Sequence, residues 1–73
     1  MKYVLIELQT MDNGAVANIV TVYENELAAK SAYYSVMTAA ALSNLPVHSA
    51  ILMDNYGIVI MNGSFPDRPQ EAV

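Results

Sequence analysis

The sequence predicts an α+β domain of ββαββ order, with a single four-stranded antiparallel sheet in the order 2-1-3-4 and one helix packed on one face. Three observations carry this. Two runs rich in apolar residues flank an Asn13-Gly14 pair, an alanine-rich stretch follows Glu24-Asn25-Glu26, and two short apolar runs flank Asp54-Asn55-Tyr56-Gly57. A right-handed crossover from the second strand to the third then lays the third beside the first and antiparallel to it.

Lys2 to Met11 reads as the first strand, with Val4, Ile6 and Leu8 on one face and Tyr3, Leu5, Glu7 and Gln9 on the other. Asn-Gly is a strong hairpin signal because both residues tolerate positive φ. Ala15 to Tyr23 returns as the second strand, rich in β-branched residues. A two-residue turn at Asn13-Gly14 sets Leu8 opposite Ile19 and Ile6 opposite Thr21. A bulged turn shifts that register and exchanges the faces. Both turns remain open at this level.

Asn25 can cap the free N–H groups of a helix, and acids in its first turn complement the helix dipole. The helix runs to about Ser43 through strongly helix-forming alanines. Asn44 is suited to a left-handed closing position, and Pro46 forbids continuation. Val47 to Asp54 is the third strand and Ile58 to Asn62 the fourth. Residues 1–63 therefore form one domain, and residues 64–73, with two prolines and no periodicity, read as a flexible tail from which Phe65 could still dock on the body.

Ser31 to Met53 contains no Asp, Glu, Lys or Arg. On a helical wheel Ala29, Ala32, Tyr33, Val36, Met37 and Ala40 form a sheet-facing stripe. The outward face holds Leu27, Ser31, Tyr34, Ser35, Thr38, Ala41 and Leu42, where an ordinary solvated face carries Glu and Lys. The far face of the sheet is expected to hold Leu5, Val20 and Val22 beside Glu7, Gln9 and Asn18. Contiguous exposed apolar surface marks interaction sites. Both surfaces are therefore candidates for a partner, and the seven outward helix residues are named as the expected interface.

Composition narrows the function classes. A chain of 73 residues is a small domain that needs a staple, and with no Cys and one His, disulfides and Cys/His zinc sites are both removed. Oligomerisation is the staple left, and 55% hydrophobic against 14% charged residues suits it. Three scattered bases, Lys2, Lys30 and Arg68, in a chain of net charge −4 do not make a nucleic-acid surface or an anionic-lipid surface. The charge-free stretch reaches membrane length but is broken by Ser43, Asn44, Pro46 and His48. The apolar run Tyr3 to Ile6 is too short for a signal-peptide core, so a cytoplasmic protein is expected.

No motif carries chemistry. His48, the single imidazole, needs an orienting carboxylate for acid–base work. Asp54 lies on its side of the same strand but roughly 20 Å away at about 3.3 Å per residue. The structural reading of His48 is preferred, with contact to a small ligand at a subunit boundary as its alternative. Tyr33 and Tyr34 point about 100° apart on a helix, one inward and one outward. Tyr34 is either a packing residue or an interface anchor. The two Asp-Asn turns lack the alternating oxygens of a calcium loop, and the five methionines read as core filler. No catalytic, cofactor or metal site is expected.

Two segments resemble a known group. They are Ser31 to Ala41 running into Leu45-Pro46-Val47-His48-Ser49-Ala50, and Lys2 to Glu7 with the Asn-Gly turn and Asn18 to Tyr23. Together they resemble small uncharacterised proteins encoded by gut Gram-positive anaerobes, often in prophage-like regions, over most of residues 2–60. The resemblance brings no activity for any residue. It implies a mobile-element accessory or virion-associated protein. The expected function is thus a non-enzymatic, homodimeric interaction module. Binding another host or phage protein through the same apolar face, or a ligand or enzymatic site around His48, is the alternative.

Overall fold

In the computed structural model, which describes residues 1–67, the first hairpin closes through the bulged alternative. Strand β1 (Tyr3–Thr10) and strand β2 (Val16–Tyr23) are joined across Asp12-Asn13-Gly14. The Gly14 N–H donates to the Met11 carbonyl at 2.9 Å, and the Met11 N–H donates to the Ala15 carbonyl at 2.8 Å. Gly14 takes φ +86°, a left-handed conformation that glycine adopts without penalty. This is a three-residue loop with its extra residue at Gly14. Leu8 therefore pairs with Asn18, Ile6 with Val20 and Leu5 with Thr21.

Helix α1 spans Glu26–Ala41, and the Asn25 side-chain oxygen accepts the Ala28 N–H at 3.1 Å as its N-cap. The helix stops short of Ser43 in a tight final turn, with the Leu42 N–H donating to Ala39 O at 3.2 Å. No residue other than glycine has positive φ among the described residues, so Asn44 does not take the left-handed closing position expected of it. Strand β3 (Val47–Asp54) follows, then a turn held by the Asp54 carboxylate, which accepts the N–H groups of Tyr56 and Ile58 at 2.8 and 3.0 Å.

Strand β4 is Val59–Phe65, longer than the sequence predicts. Ser64 and Phe65 belong to the sheet, not to a tail, and the rest of the expected tail beyond residue 67 lies outside the described residues. Gly63, just past the expected end of the fourth strand, lies inside β4. A Cβ built there would lie 2.8 Å from both the Met37 methyl and the Tyr33 hydroxyl, so the bare backbone lets the helix settle onto β4. Gly63→Val is expected to destabilise the fold by roughly 1–3 kcal/mol through overpacking, read from chemical denaturation.

All four strands are antiparallel in the order β2-β1-β3-β4, as the sequence predicts. The core under the helix is Leu5, Ala50 and Leu52 from the sheet against Ala29 and Tyr33. Tyr3, Tyr23, Ala32, Val36, Met37 and Met61 pack around it. The small side chains of Ala29 and Ala50, both fully buried, allow helix and sheet to approach closely. The predicted helix stripe is thus the one that meets the sheet.

Strand β1 presents the opposite face from the one expected. Tyr3, Leu5, Glu7 and Gln9 lie under the helix, because Leu5 belongs to the core and strand residues alternate sides. Val4, Ile6 and Leu8 turn to the far face, where Asn18, Val20 and Val22 lie as predicted. The more apolar half of β1 is left outside the core.

Candidate functional site

The far face of the sheet is the largest surface this alternation creates. Strand β1 contributes Val4, Ile6, Leu8 and Thr10, paired across to Val22, Val20, Asn18 and Val16 of β2. Strand β3 adds Val47, Ser49, Ile51 and Met53, and β4 adds Ser64, Asn62 and Val59 opposite the last three. Not one of these residues is charged. Val16, Val20 and Val22 are each more than half exposed, well above what an apolar side chain in a core shows. At the rim, two residues beyond Val4 and Val22, Lys2 and Glu24 form an ion pair.

Apart from Glu24 at the rim, the described acids lie elsewhere, and Asp67 follows β4. Asp12 is in the hairpin loop, Glu7 under the helix, Glu26 in the first helical turn, and Asp54 at the start of the β3–β4 turn. The chain is net negative, yet inside the Lys2–Glu24 rim pair this face carries no charge. An open sheet face of a monomer normally alternates apolar in and polar out. Here the outward side is uncharged and mostly apolar, with Thr10, Asn18, Ser49, Asn62 and Ser64 as its polar members.

The outward helix face is a second apolar surface. Leu27, Ser31, Tyr34, Ser35, Thr38, Ala41 and Leu42 are all exposed, as the wheel predicts. The Thr38 hydroxyl is turned back onto the Tyr34 carbonyl at 2.9 Å, so its methyl group is the part left for a neighbour. Tyr34, Thr38, Ala41 and Leu42 join Tyr33, Met37 and Phe65 around an open groove of about 550 Å³. Glu26 and Lys30, 3.8 Å apart near the helix start, make this face less uniform than the sheet face.

Tyr33 and Tyr34 divide as expected, one buried and one exposed, with their rings edge-on at 5.5 Å and 74°. Burial, and secondarily the neighbouring Tyr34 phenol, raises the Tyr33 pKa above the usual 10.0. The neutral phenol is the form the fold prefers. Its contribution to stability is therefore whole below about pH 10 and is lost as pH climbs through the raised value. Stability measured above pH 10 is expected to fall less steeply in Tyr33→Phe. The late-ionising phenolate seen by ultraviolet absorbance should disappear in that variant.

His48 is only 5% exposed and lies under the helix, not on a surface. Its Nε2 pairs with Glu7 Oε2 at 2.5 Å, and the Gln9 amide donates to the same oxygen at 3.1 Å. A carboxylate only accepts, so the proton of this contact is assigned to Nε2. Nδ1 is buried and meets no hydrogen-bonding partner among the described residues. The orienting carboxylate that sequence reasoning did not find thus comes from the neighbouring strand, where Gln9 is the register partner of His48. A groove of about 360 Å³ between the helix and β2 is lined by Glu7, together with Leu5, Ile19, Thr21 and Val36, but not by His48. The pair is therefore built as a buried strut with one polar end toward that groove.

Among the described residues no group of three His, Asp or Glu side chains could hold a metal ion, and no helix is long and apolar enough to cross a membrane. What fold and surfaces define is a small α+β domain whose conspicuous feature is uncovered apolar area. Compared with protein-family models, curated proteins and solved structures, the chain matches none of them.

Proposed function

We propose that this chain is a non-enzymatic module that self-associates, forming a homodimer by stacking the far faces of two sheets. It would work in the cytoplasm as an accessory protein of a mobile element or phage. The charge-free far face is the observation that supports the reading.

Four strands about 4.8 Å apart, three of eight residues and one of seven, at about 3.3 Å per residue outline roughly 500 Å². Two such faces together cover on the order of 1,000 Å², the size at which specific interfaces begin. Sheets stack face to face at about 10 Å with their side chains interdigitated, and the β-branched residues here suit that packing. Charge favours a second copy as the occupant. Two chains of net charge −4 repel over most of their surfaces, but this face brings no two carboxylates together. A basic partner would find nothing on it to pair with.

The seven outward helix residues and their groove remain the smaller candidate surface. Sedimentation velocity over a dilution series tests the reading. A species of at least twice the chain mass that dissociates on dilution supports it, and a monomer throughout the micromolar range contradicts it.

A further inference from the structure

We infer that β2 is a second self-association element, pairing antiparallel and edge to edge with β2 of another copy. The inference rests on the self-association proposed above but uses a different surface, the backbone edge of the sheet.

Among the described residues β2 is an outer strand, bonded to β1 on one side alone. The Met11 N–H to Ala15 carbonyl bond fixes which β2 residues point inward. Hydrogen-bonded pairs recur every second residue, so Ala17, Ile19, Thr21 and Tyr23 bond to β1. Val16, Asn18, Val20 and Val22 therefore aim their N–H and carbonyl groups out of the sheet. The Asn55 N–H to Lys2 carbonyl bond, on the opposite side of β1, follows the same alternation.

Sheet edges that must stay single carry a charge, a proline or a bulge. Strand β4, the other edge, has a register break opposite Leu52 and Met53 and is followed by Pro66. Strand β2, Val-Ala-Asn-Ile-Val-Thr-Val-Tyr, is regular over its eight residues and has no charge and no proline.

The strand is also complementary to itself. About a two-fold axis at Ile19, Val16 meets Val22 of the second copy and Asn18 meets Val20, so every outward group is paired. Ile19 then meets its own counterpart on the helix side of the sheet. That residue is 51% exposed although it lies on the side the helix covers, because the helix leaves an open groove beside β2. The second strand walls that groove, and along β2 itself no like charges meet, because its eight residues carry none. Both helices fall on one side, so the charge-free faces become continuous across the pair. Stacking two such pairs gives a four-chain assembly.

Amide hydrogen exchange on uniformly labelled wild-type protein, with sedimentation on the same samples, tests this. The amides of Val16, Asn18, Val20 and Val22 should exchange at least about tenfold slower in the associated protein than after dilution to monomer. Ala17, Ile19, Thr21 and Tyr23 serve as internal controls already bonded to β1. Val20→Pro removes one outward donor at a position where an edge strand tolerates proline, and should release Val16, Asn18 and Val22 to fast exchange. In Ser49→Lys, which charges the far face alone, the protection should persist in a two-chain species. The inference is overturned if wild-type protein associates while the outward amides exchange as fast as in the monomer. A monomer at every concentration overturns it together with the proposed function.

Discussion

Glu7→Leu is expected to lower the unfolding free energy by roughly 1–3 kcal/mol, although it adds apolar surface under a helix. The physical cause is the imidazole left behind. His48 is buried, its Nδ1 already lacks a partner among the described residues, and Glu7 is the acceptor for its Nε2. Removing the carboxylate leaves a buried N–H unpaired and releases the Gln9 amide as well. Replacing both members together behaves differently, since an apolar pair of similar volume needs no partners. Glu7→Leu combined with His48→Leu is therefore expected to recover most of the loss. Thermal melts of the two singles and the double form the cycle, at about 4–8 °C per kcal/mol for a domain of this size. A double variant as unstable as the sum of the singles would contradict the strut reading of this pair.

Much of the fold is written in local signals. Strand β3 begins and ends where the apolar run between Pro46 and the Asp54 turn says it should. Asn25 caps the helix, and Ala29, Tyr33 and Ala40 are buried on the predicted stripe. Strand order follows from crossover handedness with few alternatives.

What the chain does not reveal locally is which side of β1 faces inward. Val4-Ile6-Leu8 is the more apolar set, and hydropathy alone turns it toward the helix. The structure buries Leu5 with Glu7 and Gln9 because His48, 41 residues away, completes their hydrogen bonds. A polar residue whose partner lies on another strand looks like a surface residue until the strands are set side by side. Once β3 is placed antiparallel beside β1, Gln9 falls opposite His48 with Glu7 two residues on, and the pair could be anticipated. The hairpin adds to the difficulty, because Asn-Gly suits two-residue and three-residue loops alike and the choice moves every β2 side chain across the sheet.

That reversal moves the functional question as well. The charge-free stretch from Ser31 to Met53 directs attention to the outward helix face, and those seven residues are indeed exposed. The larger uncharged surface is made by residues outside it as much as within it. It joins Val4, Ile6 and Leu8 to Val16, Val20 and Val22, which sequence distance separates and the β1–β2 register brings together. A patch of this kind exists only once pairing is known.

The second large effect is expected from Ser49→Lys. Ser49 sits on β3 in the far face, opposite Leu8 of β1 and Ser64 of β4. It is already polar and only partly buried, so a lysine there can extend into solvent in a monomer at little cost. In a stacked pair the same ammonium would be desolvated against an apolar sheet without a partner charge, a penalty of several kcal/mol. Thr38→Lys makes the matching change on the outward helix face, where Thr38 is exposed. The most direct test is sedimentation velocity of wild type, Ser49→Lys and Thr38→Lys at equal concentrations, with circular dichroism to show that each is folded. The account predicts that folded Ser49→Lys loses the stacked contact, dropping by half or more in associated mass, while Thr38→Lys sediments like wild type. A Ser49→Lys protein that associates like wild type, or loss of association in Thr38→Lys alone, would contradict it.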